Sequence, residues 1–137
     1  MIFTIVPKEQ LPHVWNDVVK VLEKSVDTSG GKFQMIDILK GILDDLYVLW
    51  VVIDDKDDII AAATTRLIVY PGKLGMALDW VGGTRMKEWS DLLMETIMEY
   101  ARAHNCTHIE GYGRKAWGRY LAKYQFNPEY IAYRMEL

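Results

Sequence analysis

The chain has 137 residues, of which 50% are hydrophobic and 26% charged, and its formal net charge is −3. This length is typical of one domain with a sizeable core, so we predict a single domain over residues 1–137. The slight negative charge gives no overall attraction to nucleic acid, and no apolar run approaches the roughly 20 residues of a membrane span. With only Cys106 for disulfide chemistry and no signal-peptide pattern, we expect a reducing cytoplasm.

In the first half of the sequence, segments of helical spacing alternate with short apolar runs that are typical of strands. The apolar run before the polar turn at 54–58 is continuous, which indicates a strand buried on both faces. A Ser- and Gly-containing loop over residues 25–31 separates two helices. The elements predicted here are a strand from Ile2 to Val6, a helix from Leu11 to Leu22, a helix from Met35 to Leu43, a strand from Leu46 to Ile53 and a strand from Ile59 to Tyr70.

In the second half, an alternating strand leads through a glycine pair into a long amphipathic helix. By the period of two, Trp80 falls on the same strand face as Met76 and Leu78. Asn105 is predicted to end the long helix, because Asn tolerates the left-handed conformation. The predicted elements are a strand from Leu74 to Val81, a helix from Met86 to His104, a strand from Thr107 to Tyr112, a helix from Arg114 to Tyr124 and a strand from Tyr130 to Leu137.

This order of elements determines the predicted fold class. Strands joined by hairpins, followed by a strand–helix–strand crossover, predict one sheet with helices on both faces. We therefore predict an α/β (α+β) fold with a mixed, mostly antiparallel central sheet flanked by about four helices.

Three stretches of the second half carry a resemblance to a known family. Gly82 and Gly83 lead from the fourth strand into the long helix, residues 101–106 (ARAHNC) end that helix, and residues 117–126 (WGRYLAKYQF) form the closing helix. In this order they resemble the GCN5-related N-acetyltransferases, the GNAT family. Residues 113–117 (GRKAW) also resemble a signature of small GNAT-like proteins of tailed bacteriophages. The resemblance covers essentially the whole chain.

The resemblance implies that acetyl-CoA lies where the fourth and fifth strands splay apart. The fourth strand would flank the pantetheine arm, and the glycine loop would cradle the pyrophosphate beside the positive end of a helix dipole. Glycine permits close approach of the backbone, and a bulky residue at Gly83 is expected to block the ligand without harming the fold. The residues assigned to acetyl-CoA are Trp80, Val81, Gly82, Gly83, Thr84, Arg85 and Arg114.

Acetyl transfer to an amine needs a group that takes a proton and a group that protonates the departing thiolate. Glu110, on the fifth strand, and Asp79, before the glycine loop, are the candidate bases. Tyr112, Tyr120 and Tyr124 are possible acids, and we assign Tyr120 to this role. These residues also have purely structural interpretations. Glu110 is a solvated strand residue or pairs with Arg114, and Asp79 caps loop N–H groups or pairs with Arg85. Tyr120 and Tyr124 pack in the core on an apolar stripe. No spacing of metal ligands is present.

Two further patterns are polar. His108, Glu110 and Tyr112 share one strand face by the period of two, which is typical of either a polar cleft or a solvent-facing strand. Lys115, Arg119 and Lys123 form a basic stripe at helical spacing. The simplest interpretation of this stripe is a solvated helix face. The alternatives are that it holds a CoA phosphate or contacts nucleic acid, and the net charge of the chain does not favour a nucleic-acid partner.

The function predicted from the sequence is acetyl-CoA-dependent N-acetyl transfer by direct attack of an amine that the sequence does not identify, either a small molecule or a protein. An alternative is a catalytically inactive phage protein of the same fold that acts as a binding or virion-associated component. Bulky residues at the start of the long helix, Met86, Glu88 and Trp89, favour the alternative, as does Leu121 where the family commonly has a Tyr. A protein partner or a homodimer is compatible with both.

Overall fold

The computed structural model of the chain describes residues 1–113 and 117–137. A 3-10 turn at Lys8–Gln10 precedes the first helix. The strands are β1 (Ile2–Ile5), β2 (Val48–Ile53), β3 (Ile59–Val69), β4 (Leu74–Gly83) and β5 (His108–Gly111). The helices are α1 (Leu11–Asp27), α2 (Met35–Leu43), α3 (Met86–Ala103) and α4 (Gly118–Lys123).

The strands form one sheet in the order β1-β2-β3-β4-β5. The first three pairings are antiparallel, and β4 and β5, which α3 connects, are parallel. A parallel pair needs such a crossover because its strands run in the same direction. The predicted fold class, a mixed and mostly antiparallel sheet flanked by about four helices, is confirmed.

Two apolar cores lie on opposite faces of the sheet. On one face Trp50, Met76 and Ile97 belong to a core that α3 covers. On the other, Val51 packs with α1 and α2 residues such as Leu22. Successive residues of β2 therefore alternate between the two cores, which explains why its sequence is a continuous apolar run. The strand is shorter than predicted and begins at Val48.

Asn105 ends α3 as its sequence predicts. Its φ of 62° lies in the left-handed region. The N–H of Cys106 then donates to the carbonyl of Ala101 at 2.9 Å. This bond satisfies a carbonyl of the last helical turn and turns the chain toward β5.

A bulge in β4 changes the face on which its side chains lie. The register shifts so that Thr64 pairs with Trp80 while Thr65 pairs with Leu78, which leaves Asp79 as the extra residue. Leu78 consequently packs with the α3-side core, and Trp80 packs with the α1-side core. The prediction that Trp80 shares a face with Met76 and Leu78 is wrong, because strict alternation does not continue through a bulge.

The glycine pair belongs to β4 and not to a surface loop. Gly82 pairs with Ala62, and a Cβ atom on Gly82 would overlap the Val21 carbonyl of α1. Gly83 has a φ of 144°, and a Cβ atom there would overlap the Ile60 carbonyl and Ala61. The two glycines let α1 and β3 approach the end of β4 closely, so the expectation that Gly83 tolerates a bulky residue is wrong.

The predicted final strand from Tyr130 to Leu137 is also wrong. Residues 126–137 form no helix or strand, and Ile131, Tyr133 and Met135 are largely exposed. Among the described residues this segment forms no strand pairing with the sheet, so its alternating pattern alone does not produce a strand. In the predicted last helix, α4 begins at Gly118, and Arg114, Lys115 and Ala116 lie outside the described residues.

Within residues 1–113 and 117–137, no helix is both long and apolar enough to cross a membrane. The same part of the chain holds no group of three or more His, Cys, Asp or Glu residues arranged to bind a metal ion.

We predict that Gly83→Ala lowers the free energy of unfolding by roughly 2–3 kcal/mol, because it combines steric overlap with a backbone conformation that disfavours L-residues. Thermal unfolding followed by circular dichroism measures the effect. Gly72→Ala is the matched control, since nothing lies within 4 Å of a Cβ at Gly72. An equal melting temperature for the two variants would contradict the packing role of Gly83.

Candidate functional site

The candidate site is the cleft that opens where β4 and β5 separate. Their pairing ends at Leu78 and Gly111, whereas β4 stays bonded to β3 as far as Gly83. The β5-facing edge of β4 is therefore open beyond Leu78. The resulting cavity has a volume of about 870 Å³ and lies between the ends of α1, α3 and α4. Its size is in the range of small-molecule and cofactor sites.

Most of the residues assigned from the sequence line this cleft, but some do not. Arg85 and Glu110 are not among the lining residues. Arg114 lies outside the described residues. The sequence-assigned residues that line the cleft are Asp79, Trp80, Val81, Gly82, Gly83, Thr84 and Tyr120.

Trp80 contributes a buried donor to the wall of the cleft. Its indole Nε1 is buried and has no hydrogen-bond partner among the described residues. Its ring meets the edge of Phe33 with centroids 5.3 Å apart. A buried N–H without an acceptor has lost its hydrogen bond to water. A ligand carbonyl that reached it would compensate for this loss.

The backbone between β4 and α3 is largely committed to internal hydrogen bonds. Thr84 N–H donates to the Ile60 carbonyl at 2.9 Å, and Glu88 N–H donates to the Arg85 carbonyl. Trp89 Nε1 donates to the Thr84 carbonyl at 2.6 Å. The N–H groups of Thr84 and Glu88 are thus unavailable, and those of Met86 and Lys87 are the donors left at the start of α3.

Arg85 is neutralised by two carboxylates. The guanidinium contacts Glu88 at 2.6 Å and Asp54 at 3.2 Å. The hydrogen bonds that Arg85 donates to Glu88 raise the pKa of Arg85, and the same contact lowers the pKa of Glu88. Arg85 therefore adds little net positive charge near the cleft and serves to attach the start of α3 to the β2–β3 turn.

Asp79 forms a bidentate ion pair with Arg66 of β3. Arg66 Nε donates to Oδ2 at 2.8 Å and Nη2 donates to Oδ1 at 3.0 Å. This contact raises the pKa of Arg66. The expectation that Asp79 pairs with Arg85 or caps loop N–H groups is wrong, because the bulge turns its side chain toward β3. With both oxygens engaged, Asp79 is poorly placed to accept a proton.

Glu110 is the centre of a polar cluster on the α1-side face of the sheet. Tyr70 and Tyr112 donate to its Oε1 at 2.5 Å and 2.7 Å, and His108 Nε2 lies 2.9 Å from its Oε2. Burial raises the pKa of Glu110, but these three hydrogen bonds outweigh burial, so its pKa is lowered. Hydrogen bonding to Glu110 in turn raises the pKa of Tyr112.

The predicted row of His108, Glu110 and Tyr112 on one face is thus confirmed by their mutual contacts. Of the three, Tyr112 also lines the cleft. Sequence reasoning missed the partners in these two polar groups: Arg66 of β3, and Tyr70, which directly follows β3. The hairpin between β3 and β4 is the signal that could have found them, since it places the end of β3 beside β4.

The two tyrosines of the closing helix differ in their environment. Tyr120 is 47% exposed and lines the cleft, so the core-packing interpretation of Tyr120 is wrong. The Tyr124 hydroxyl donates to Asp91 at 2.6 Å and accepts from the Ser90 hydroxyl at 3.1 Å. Tyr120 makes no hydrogen bond with the residues described, which leaves its hydroxyl accessible to a ligand.

The basic stripe is only partly described. Lys123 forms an ion pair with Asp91 at 3.0 Å, and Lys115 lies outside the described residues. Asp91 therefore neutralises Lys123, one of the two described residues of the stripe.

The whole chain is similar in structure to solved acetyltransferases. It matches the BH1408 protein from Bacillus halodurans, solved as a tetramutant, with a TM-score of 0.76 at 15% identity over 100% of both chains. It matches a GNAT family acetyltransferase from Staphylococcus aureus with a TM-score of 0.68 at 16% identity, over 99% of this chain and 98% of the other. For glucosamine-6-phosphate N-acetyltransferase from Arabidopsis thaliana the TM-score is 0.67 at 12% identity, over 99% of both.

These likenesses show the fold, which is the GNAT fold that the sequence predicts. No family model matches the sequence, and no curated protein matches it. The likeness at such low identity does not extend to activity or substrate.

We predict that Glu110→Gln removes a pH-dependent part of the stability. A carboxyl with a lowered pKa stabilises the fold above its unfolded pKa, and this contribution disappears as the pH falls through the folded pKa. The variant should therefore be less stable than the wild type at pH 7, by roughly 1–2 kcal/mol, and the difference should vanish in acid below the usual glutamate range. Urea unfolding across that range measures it.

The control for this measurement is Glu129→Gln, since Glu129 is exposed. That variant should follow the wild type at every pH. If the free energies of unfolding of the wild type and Glu110→Gln differ by the same amount at every pH, the three hydrogen bonds do not favour the ionised form of Glu110.

Proposed function

We propose that this protein transfers an acetyl group from acetyl-CoA to an amine, with the thioester in the cleft between β4 and β5. The observation that carries the proposal is the open edge of β4, which borders a cavity of about 870 Å³ that Trp80 also lines. A pantetheine arm contains two amides in an extended chain, and such a chain can pair with an open strand edge as another strand would.

The residues around the cleft fit the pantetheine arm of acetyl-CoA better than they fit its phosphates. Trp80 and Val81 would hold the amide-bearing arm along β4. The N–H groups of Met86 and Lys87 would meet the pyrophosphate at the positive end of α3. Gly82, Gly83 and Arg85, to which the family resemblance assigns the phosphates, have other structural partners. Phosphate binding would thus rest on fewer donors than the resemblance implies.

In the chemical step, the neutral amine attacks the thioester carbonyl. The C–N bond forms, the C–S bond breaks, and the thiolate leaves with a proton from a nearby acid. Tyr120 is the residue that we assign to this protonation, because its exposed hydroxyl lines the cleft. A positioned acid of this kind contributes roughly a hundredfold to the rate.

We assign Glu110 and Asp79 to positioning and not to proton abstraction. The lowered pKa of Glu110 makes it a weak base, and its role is to hold Tyr112 at the wall of the cleft. Asp79 is occupied by Arg66. The amine would therefore lose its proton to water, and the acceptor would react in its neutral form.

We predict that isothermal titration with acetyl-CoA gives saturable binding, and that Trp80→Phe weakens it about threefold to tenfold. The substitution keeps the packing of an aromatic ring but removes one hydrogen-bond donor. Trp15→Phe is the matched control, since Trp15 packs against the same core and does not line the cleft. Equal affinities for the two variants would exclude Trp80 from the site.

We predict that Tyr120→Phe lowers kcat for release of free CoA by roughly a hundredfold and leaves the KM for acetyl-CoA nearly unchanged. The assay follows thiol release with a panel of amines, and Tyr133→Phe is the control because Tyr133 is exposed outside the cleft. An unchanged kcat would mean that another group, or water, protonates the thiolate.

A second candidate function is a non-catalytic binding role, including that of a virion-associated component. It is favoured by the contacts that fill the phosphate end of the site: α1 against Gly82, β3 against Gly83 and two carboxylates on Arg85. The acetyl-CoA titration separates the two candidates, since absence of binding up to millimolar concentration would support the binding role.

A further inference from the structure

The C-terminal tail, defined as residues 127–137, is attached to the rest of the chain at two points. Near its start, Tyr130 lies against Tyr112, and the hydrogen bonds of Tyr112 with Glu110 and with Tyr130 both raise the pKa of Tyr112. Farther along the tail, Arg134 Nη1 donates to the Gly30 carbonyl at 3.2 Å. The first point follows the end of β5, and the second lies in the α1–α2 loop, defined as residues 28–34.

The two attachment points lie on different walls of the cleft. Tyr112 lines the cleft where β5 ends, and Thr28, just before Gly30, lines it where α1 ends. The attached residues Tyr130 and Arg134 are close in the sequence, so the backbone between them spans at most about 14 Å. The tail therefore bridges the opening between α1 and β5 with a short connection.

The α1–α2 loop connects the tail to the wall of the cleft. A Cβ atom on Gly30 would lie 2.7 Å from Arg134 Nη1, so the guanidinium packs directly on the loop backbone. Ser29 Oγ accepts a hydrogen bond from the Phe33 N–H at 3.1 Å, which closes the loop on itself. The Phe33 ring in turn contacts Trp80, which lines the cleft. The position of Phe33 at the cleft thus depends on a loop that the tail holds.

Under the proposed function, the opening between α1 and β5 is the entrance for the amine. The phosphates would lie at the start of α3 and the pantetheine arm along β4. The thioester would then lie toward Leu78, where the pairing of β4 with β5 ends. The acceptor would approach from the side that the end of α1 and Tyr112 border.

We propose that the tail selects the acceptor: by holding the α1–α2 loop and Phe33 in place, it admits a small-molecule amine and excludes a lysine carried by a polypeptide. This inference rests on the proposed function. A lysine amine is separated from its backbone by a four-carbon stem, so the backbone of a bound peptide would have to lie where the tail crosses the opening. Arg134 and Phe33 are positioning residues, since they act through the loop and through Trp80.

The kinetic test compares two acceptors with the same reactive end, n-butylamine and a blocked pentapeptide with one central lysine, by thiol release from acetyl-CoA. For the wild type we expect kcat/KM to be at least about tenfold higher for n-butylamine. Arg134→Ala should lower this ratio roughly tenfold by raising kcat/KM for the peptide, with an unchanged Kd for acetyl-CoA. Arg102→Ala is the control, since Arg102 is exposed at the end of α3 and does not line the cleft.

Hydrogen exchange of the wild type and both variants tests the contact without an acceptor. Amides of residues 29–34 should exchange about tenfold faster in Arg134→Ala than in the wild type or Arg102→Ala, because the loop loses its attachment. Equal exchange in all three proteins overturns the inference, and so does an unchanged acceptor ratio in Arg134→Ala. A wild type that binds no acetyl-CoA, or transfers acetyl to neither amine, overturns the proposed function and this inference together.

Discussion

The functional architecture depends on the different lengths of the two hydrogen-bond ladders that β4 forms with β3 and with β5. Bonds to β3 continue to its last residue, whereas bonds to β5 cover four residue pairs. Where the second ladder ends, the backbone of β4 keeps polar groups that face a cavity instead of a strand. The separation of the two strands also places the start of α3 and the face of α4 around the same space. The early end of the β4–β5 ladder therefore produces the cleft, the open edge of β4 and the candidate ligand donors.

The bulge at Asp79 determines which chemistry faces that cleft. One extra residue in β4 turns Asp79 toward Arg66 and moves Trp80 to the α1-side core. The ion pair satisfies a carboxylate that would otherwise be a candidate base, and the indole N–H has no acceptor among the described residues. A local change in strand register thus pairs the acidic group of the cleft wall with a cation and places a neutral donor next to it in the chain.

The phosphate end of the cleft shows how packing and ligand binding compete for the same residues. Glycine at the end of β4 would suit close approach of a phosphate, yet here α1 and β3 fill the space that the missing Cβ atoms leave. Likewise, Arg85 lies next to the start of α3 but is neutralised by Glu88 and Asp54. Under the proposed function the cleft would still hold the amide-bearing arm, whereas the phosphates would be left with the N-terminus of α3. The two candidate functions differ on this point: acetyl transfer requires that the remaining donors hold the phosphates, whereas a non-catalytic binding role does not.

The sequence by itself determined the order of elements, the mixed sheet, the two-sided burial of β2 and the end of α3 at Asn105. These features depend on local periodicity and on the conformational preference of single residues, which a sequence displays directly. It also placed His108, Glu110 and Tyr112 on one face, since a short strand without a bulge keeps a period of two.

Only the tertiary structure decided the partners of Asp79, Glu110 and Arg85. It also decided the face of Trp80, the packing of Gly82 and Gly83, and that residues 130–137 form no strand. Each depends on residues distant in the sequence: Arg66 from β3, Tyr70 just after β3, Asp54 from a turn and Val21 from α1. Pairing energies of this kind arise from register and close approach between elements, and neither is encoded in the spacing of residues along one element.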